Sequence, residues 1–144
     1  MAKYCIFFLL FIAKFSFAQI EISWADLEDV EFSEMYVEEI DEHMLYPYFG
    51  FNVRELDGRK VTLNGYILAI DPAINYYVLS KGPFASCFFC GAGGPETIVE
   101  LSLKSKNASF FMDEFASITG VLKLNADDMY RCVYILEDAV ADKR

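Results

Sequence analysis

Two stretches in the second half of the chain, Lys60–Asp71 and Phe115–Leu124, alternate apolar and polar residues, and each carries a glycine near its middle, Gly65 and Gly120. A period of two residues marks a strand with one buried face. A glycine inside such a run marks a bulge or a sharp bend. In the first run Val61, Leu63, Gly65, Ile67 and Ala69 fall on one face. Shorter strand-like segments follow at Asn75–Leu79, Thr97–Leu103 and Tyr130–Leu136, separated by turn signals such as Asp57-Gly58 and Asp71-Pro72. Five strands whose first and fourth members can bend are what a small Greek-key barrel needs to close on itself. The residues after Leu136 read as an acidic, fraying tail, and the sequence shows neither an internal repeat nor a low-complexity linker.

The chain ahead of these strands divides in two. Residues 1–18 read as a secretory signal, with Lys3 before an apolar run over Cys5–Ala13 and a small-residue ending at Ser16-Phe17-Ala18. The run is about half as long as the roughly 20 apolar residues a membrane span needs, so removal is expected, followed by a secreted or periplasmic location without a membrane span. Two of the twelve basic residues and none of the 22 acids fall in that segment, which leaves a net charge of −12 from Gln19 onward. Such a balance repels nucleic acid and anionic membrane surfaces. Residues 19–55 form an arm ahead of a barrel over residues 56–144. Ser23 with Asp26 suits the start of a short helix, with Trp24 and Leu27 as a lid over the core. Residues 31–46 fit either a helix or an extended arm, and Tyr46, Tyr48, Phe49 and Phe51 read as a packing strap.

Between the second and third strands lies Ser86-Cys87-Phe88-Phe89-Cys90-Gly91-Ala92-Gly93-Gly94-Pro95, the segment least like ordinary strand sequence. With Cys5 in the signal, three cysteines remain: Cys87, Cys90 and Cys132. Three chemistries are open to them. In an oxidising compartment Cys87 and Cys90 could form a disulfide, leaving Cys132 odd. Cys-x-x-Cys-Gly is also half of a zinc site, which would need Cys132, His43 or a carboxylate such as Glu96 to complete it. A redox dithiol is the third reading, but the glycines and Pro95 argue against a following helix, and Glu96 opposes thiolate formation. His43 is the sole histidine, no serine sits in a nucleophile elbow, and no catalytic residues are assigned.

The run Asp57–Tyr66, then Tyr77-Val78-Leu79, Ala116–Leu122 and Tyr134–Ala139 resembles the strand grammar of the OB-fold. The Trp24-x-x-Leu27 start, Tyr46-Pro47, Gly65-Tyr66 and the Ser86–Gly91 segment are similar to a family of uncharacterised exported bacterial proteins, a domain of unknown function. That resemblance implies an exported OB-like barrel and no activity. Members encoded near transport systems would make an accessory role one expectation. Many OB-folds bind single-stranded nucleic acid through a basic groove, which this acidic chain lacks. The expectation is therefore a mainly β protein, a small five-stranded OB-like Greek-key barrel with a helical or extended N-terminal arm. It would act as a non-enzymatic binding or adaptor module, with the cysteine loop as its recognition or metal-contacting feature and an unidentified protein or transport system as partner. The alternative from another class is a periplasmic metal-handling or thiol–disulfide protein using Cys87 and Cys90.

Overall fold

The computed structural model describes residues 19–142, so the signal assigned to residues 1–18 lies outside the described residues. The described residues form eight strands: β1 (Ile20–Glu21), β2 (Val30–Val37), β3 (Glu42–Phe49), β4 (Lys60–Asp71), β5 (Tyr76–Ser80), β6 (Ile98–Leu103), β7 (Glu114–Leu124) and β8 (Tyr134–Asp142). One short helix, α1 (Phe51–Arg54), joins the two halves of the chain.

Strands β4 to β8 close into a five-stranded barrel in the order β4-β5-β6-β8-β7, with β7 pairing back onto β4. The third and fifth strands of the barrel, β6 and β8, run parallel, and the other barrel pairings are antiparallel. This is the closed, small β-barrel that the sequence suggests. Closure depends on β4, whose first part pairs with β7 through Ile67 and whose second part pairs with β5 from Tyr66 onward. Gly65 sits just before the changeover. A methyl group there would stand 2.6 Å from the Ser80 carbonyl oxygen and 3.0 Å from the Trp24 ring, so the close approach requires glycine.

The alternation in β4 and β7 translates into burial. Val61, Leu63 and Ile67 meet Ile118 and Leu122 inside the barrel, joined by Tyr77, Leu79, Val99, Leu101, Tyr134 and Leu136. The last strand departs from the sequence reading. Residues 137–142 are not a frayed tail but the second half of β8, paired with β7 through Ser117–Asp142. An extra residue explains why the pattern hides this. Asp138 has φ +51°, and the register against both β6 and β7 shifts there. Inward residues therefore run Tyr134, Leu136, then Ala139 and Ala141, and the period of two is broken in mid-strand.

Residues 31–46 take the extended option: β2 and β3 form a hairpin of their own, with Val30 opposite Phe49 and Val37 opposite Glu42. The root of the hairpin is bound to the barrel. β1 lies parallel to β4, and the Ile22 amide donates to the Thr62 carbonyl at 2.9 Å. Trp24 donates its indole N–H to the Asn64 carbonyl at 2.9 Å. Leu27 and Val53 are completely buried within the barrel core, and Tyr134 donates its hydroxyl to the Leu27 carbonyl at 2.8 Å. The Ser23 amide and hydroxyl both donate to the Asp26 carboxylate, which opens the 3-10 turn Trp24–Leu27 and holds that carboxyl below its ordinary range. On the exit side, Asp29 accepts the Asn52 amide at 2.8 Å and so caps α1 from across the chain. The expected aromatic strap is half realised. Phe49 packs on Tyr134 with ring centres 5.8 Å apart, while Tyr48 and Phe51 face solvent.

Candidate functional site

The loop between β5 and β6 is built from three 3-10 turns, Phe84–Ser86, Phe88–Cys90 and Pro95–Thr97. Pro95 opens the third turn, and Gly91 (φ +78°) ends the second in a left-handed conformation that favours glycine. The loop folds back over the outer face of the barrel. Cys87 is 1% exposed and sits in a second, smaller apolar cluster with Leu68, Val78 and Ile98, edged by Tyr76, Phe88 and Cys132. Cys87 is a free thiol in the structure, so the disulfide, one of the three readings open to it, is not seen, and the Cys90 side chain lies outside the described residues. The expectation of a sulfur held outward therefore fails for Cys87. The outer faces of β4, β5 and β6 carry apolar residues that need cover, and the Cys87 side chain supplies it.

Of the other sequence candidates, Cys132 stays near Cys87 and His43 lies apart. Cys132 lies beside this cluster, as does Tyr76, and the two side chains are close enough to influence each other's protonation. Glu100, 8% exposed, accepts from the Arg131 guanidinium through Nε at 2.8 Å and Nη2 at 2.5 Å, and from the Cys132 amide at 3.3 Å. Burial, with the Glu100 charge behind it, pushes the Cys132 thiol up to about 11. Burial likewise takes Tyr76 up to about 12, helped by Cys132 and Glu100. These are groups kept neutral, the reverse of an activated nucleophile. His43 belongs to the β2–β3 hairpin, where its ring packs on Tyr36 at 5.3 Å. Among the described residues no three His, Cys, Asp or Glu side chains converge as a metal-ligand group.

What the loop does present outward is aromatic. The Phe84 amide donates to Asp113 Oδ1 at 2.7 Å, tying the cysteine loop to the connection between β6 and β7. Asp113 takes φ +63° and donates its own amide to the Ile67 carbonyl at 2.8 Å, so it is fixed to β4. The turn before β7 is closed from both sides, because Phe111 donates its amide to the Glu114 carboxylate at 3.0 Å and Glu114 returns its amide to the Phe111 carbonyl at 3.3 Å. Phe110 turns inward onto Tyr77 at 5.4 Å. Phe111, Met112 and Phe115 turn outward, with Phe111 81% and Phe115 62% exposed. Tyr66 of β4 meets Phe115 edge to face at 5.1 Å. Phe84 adds its partly exposed ring from the loop side. In the sequence Lys104–Asp113 reads as a polar connection carrying two phenylalanines. The signal that could have found the platform is the cluster Phe110-Phe111-Met112 with Phe115, too many large apolar groups for one turn to bury.

No helix of the described residues is long and apolar enough to cross a membrane. No family model matches the sequence, and no curated protein matches it. A solved structure described as a DUF3299 family protein from Pseudomonas aeruginosa PAO1 is similar in fold, with a TM-score of 0.52 and 17% sequence identity over 88% of this chain and 98% of that one. Residues 56–144 make up less than two thirds of the sequence, so the likeness takes in the N-terminal segment as well as the barrel. At this identity the chain shares with that domain of unknown function a fold, and the five-stranded barrel with its docked N-terminal segment is the extent of what is shared.

Proposed function

We propose that the protein is an exported, non-enzymatic binding module that docks a protein partner on the platform formed by Phe84, Phe111, Met112 and Phe115. The observation that carries this reading is the exposure of Phe111 and Phe115 on turns that Asp113 and Glu114 hold in place. A clustered apolar surface on rigid backbone marks an interaction site more often than scattered exposed residues do, and large side chains that need little further ordering lose less entropy on docking. Asp113 and Glu114 at the rim, with a net charge of −10 for the whole chain, favour a partner whose apolar face is bordered by basic residues. The cysteine loop remains part of the recognition feature, through Phe84 rather than through sulfur. The metal-handling and thiol–disulfide readings draw no support from Cys87, packed in hydrocarbon, or from Cys132, whose thiol is held protonated.

Site-specific photo-crosslinking in the exporting cell tests the proposal. A photoreactive residue at position 111 is expected to give one discrete adduct, weakened several-fold by Phe115→Asp. The same residue at position 130, 82% exposed in the turn at the far end of β7, is expected to give none. Equal labelling from both positions, or none from position 111, overturns the platform.

A further inference from the structure

At that far end of β7, the β2–β3 hairpin and the turn between β7 and β8 enclose a cleft of about 280 Å³. Four methionines follow the segment read as a signal, and three of them, Met35, Met44 and Met129, line this one cleft; Met112 belongs to the aromatic platform. Met35 and Met44 are directly opposed across the hairpin. Their Cβ atoms therefore stand about 5 Å apart on one face. Tyr36 and His43 form the next pair and face the other way, ring on ring. Met129 comes from across the cleft on a turn that is hydrogen-bonded throughout. Asn125 donates its side-chain amide to the Asp128 and Cys132 carbonyls at 2.8 and 3.1 Å and accepts the Asp128 amide at 3.0 Å. Asp128 in turn accepts the Tyr130 amide at 3.0 Å.

Methionine is ordinarily a buried residue, yet Met35 is 44% and Met129 37% exposed. The cleft falls just below the ~300–1,000 Å³ of small-molecule pockets, which favours a small occupant. Asp127 and Asp128 also line it, and Arg131, the cation of the turn, is engaged by Glu100. The lining thus offers soft sulfur and negative charge together. Thioethers select soft, monovalent d¹⁰ ions, and unlike thiols they coordinate without losing a proton.

We propose that Met35, Met44 and Met129 form a three-thioether site for one soft monovalent cation, copper(I), with silver(I) as a redox-inert probe. Each sulfur donates a lone pair to the ion, no proton is released and no electron is transferred. Met129 is delivered on a pre-formed turn, and the flexible side chains of Met35 and Met44 close on the ion from the hairpin. The site is separate from the aromatic platform and does not depend on the platform's role.

The test is a silver(I) titration of the chain from Gln19 onward, with methyl-¹³C-labelled methionine and Cys90→Ser and Cys132→Ser so that thiols do not take the first equivalent. The methyl signals of Met35, Met44 and Met129 are expected to move together and saturate at one equivalent, with Met112 unmoved. Met129→Leu, which keeps the apolar volume, is expected to weaken binding at least tenfold, and Met35→Leu with Met44→Leu to abolish it, with the remaining methyl spectrum unchanged. Silver that moves all four methionines alike, or none, overturns the site. Binding that survives all three leucine substitutions does so as well.

Discussion

Leu27→Ala tests whether residues 19–55 are an arm attached to a barrel or part of the barrel itself. Leu27 is completely buried, and it lies in the same cluster as Val61, Ile118, Leu122 and Tyr134 although it comes from the 3-10 turn Trp24–Leu27. Alanine removes three carbon atoms from that interior. At about 0.8 kcal/mol per buried methylene the lost transfer energy is about 2.4 kcal/mol. The walls of the hole are β4, β7 and β8, held by their own ladders, so they relax little and a cavity contribution adds to the cost. About 3–4 kcal/mol results, inside the 2–5 kcal/mol usual for this substitution. The Tyr134 hydrogen bond reaches the Leu27 backbone, so it survives the change and does not inflate the figure.

With an unfolding entropy of about 2.1 cal/mol/K per residue, a domain of about 125 residues has a slope near 0.26 kcal/mol/K, and the midpoint falls by about 12–15 °C. Circular dichroism melts and urea unfolding of the chain from Gln19 onward read this directly. A companion substitution, Phe51→Ala, alters the same segment at a side chain that is 67% exposed. It is expected to stay within about 0.5 kcal/mol. Two outcomes refute the reasoning. One is a Leu27→Ala protein as stable as Phe51→Ala. The other is a melt that splits in two, the N-terminal segment leaving first and the barrel transition unmoved.

Gly65→Ala places a methyl group 2.6 Å from the Ser80 carbonyl at the point where β4 changes partners, and is expected to cost about 1–3 kcal/mol in urea unfolding, far more than an exposed glycine replacement would. Alkaline pH should weaken the fold. Cys132 and Tyr76 have folded-state values raised to about 11 and about 12 from 9.0 and 10.0, so the folded chain holds protons that the unfolded chain gives up. Their contribution is complete below pH 9 and is lost as pH rises through 11 to 12. Urea midpoints are therefore expected to fall from pH 9 upward, and Cys132 alkylation at pH 8 to run at least tenfold slower than that of a free thiol. Midpoints flat to pH 11 refute the assignment.

How far the sequence could lead is set by what kind of constraint each residue obeys. Val61 to Ala69 and Ala116 to Leu124 obey a local one, a period of two with a glycine where the strand must bend, and the barrel follows from it. At β8 the same rule misleads, because one residue inserted at Asp138 moves the inward set from Leu136 to Ala139 and the strand reads as a tail. The N-terminal segment obeys a constraint from elsewhere. Leu27 reads from its own turn as a lid over the core and is buried there, whereas Val53 is apolar because a barrel lies next to it, and nothing in its own neighbourhood says so. The cysteine loop is the sharpest case. Cys87 and Cys90 share a motif, but motif spacing states only that two sulfurs are near in sequence. Which way a side chain turns depends on the surface behind it, here Leu68, Val78 and Ile98 on strands 9 to 19 residues away. Those outward apolar residues of β4, β5 and β6 were visible in the sequence as breaks in the polar face. A strand with both faces apolar must be covered by something. The loop between its own neighbours is the nearest cover, and a cysteine is among the residues most often buried. Read that way, the motif that invites metal and redox chemistry is first a packing element, and the chemistry on offer moves to the groups that the packing leaves outside: Phe84, Phe111 and Phe115 at one end of β7, and the three thioethers at the other.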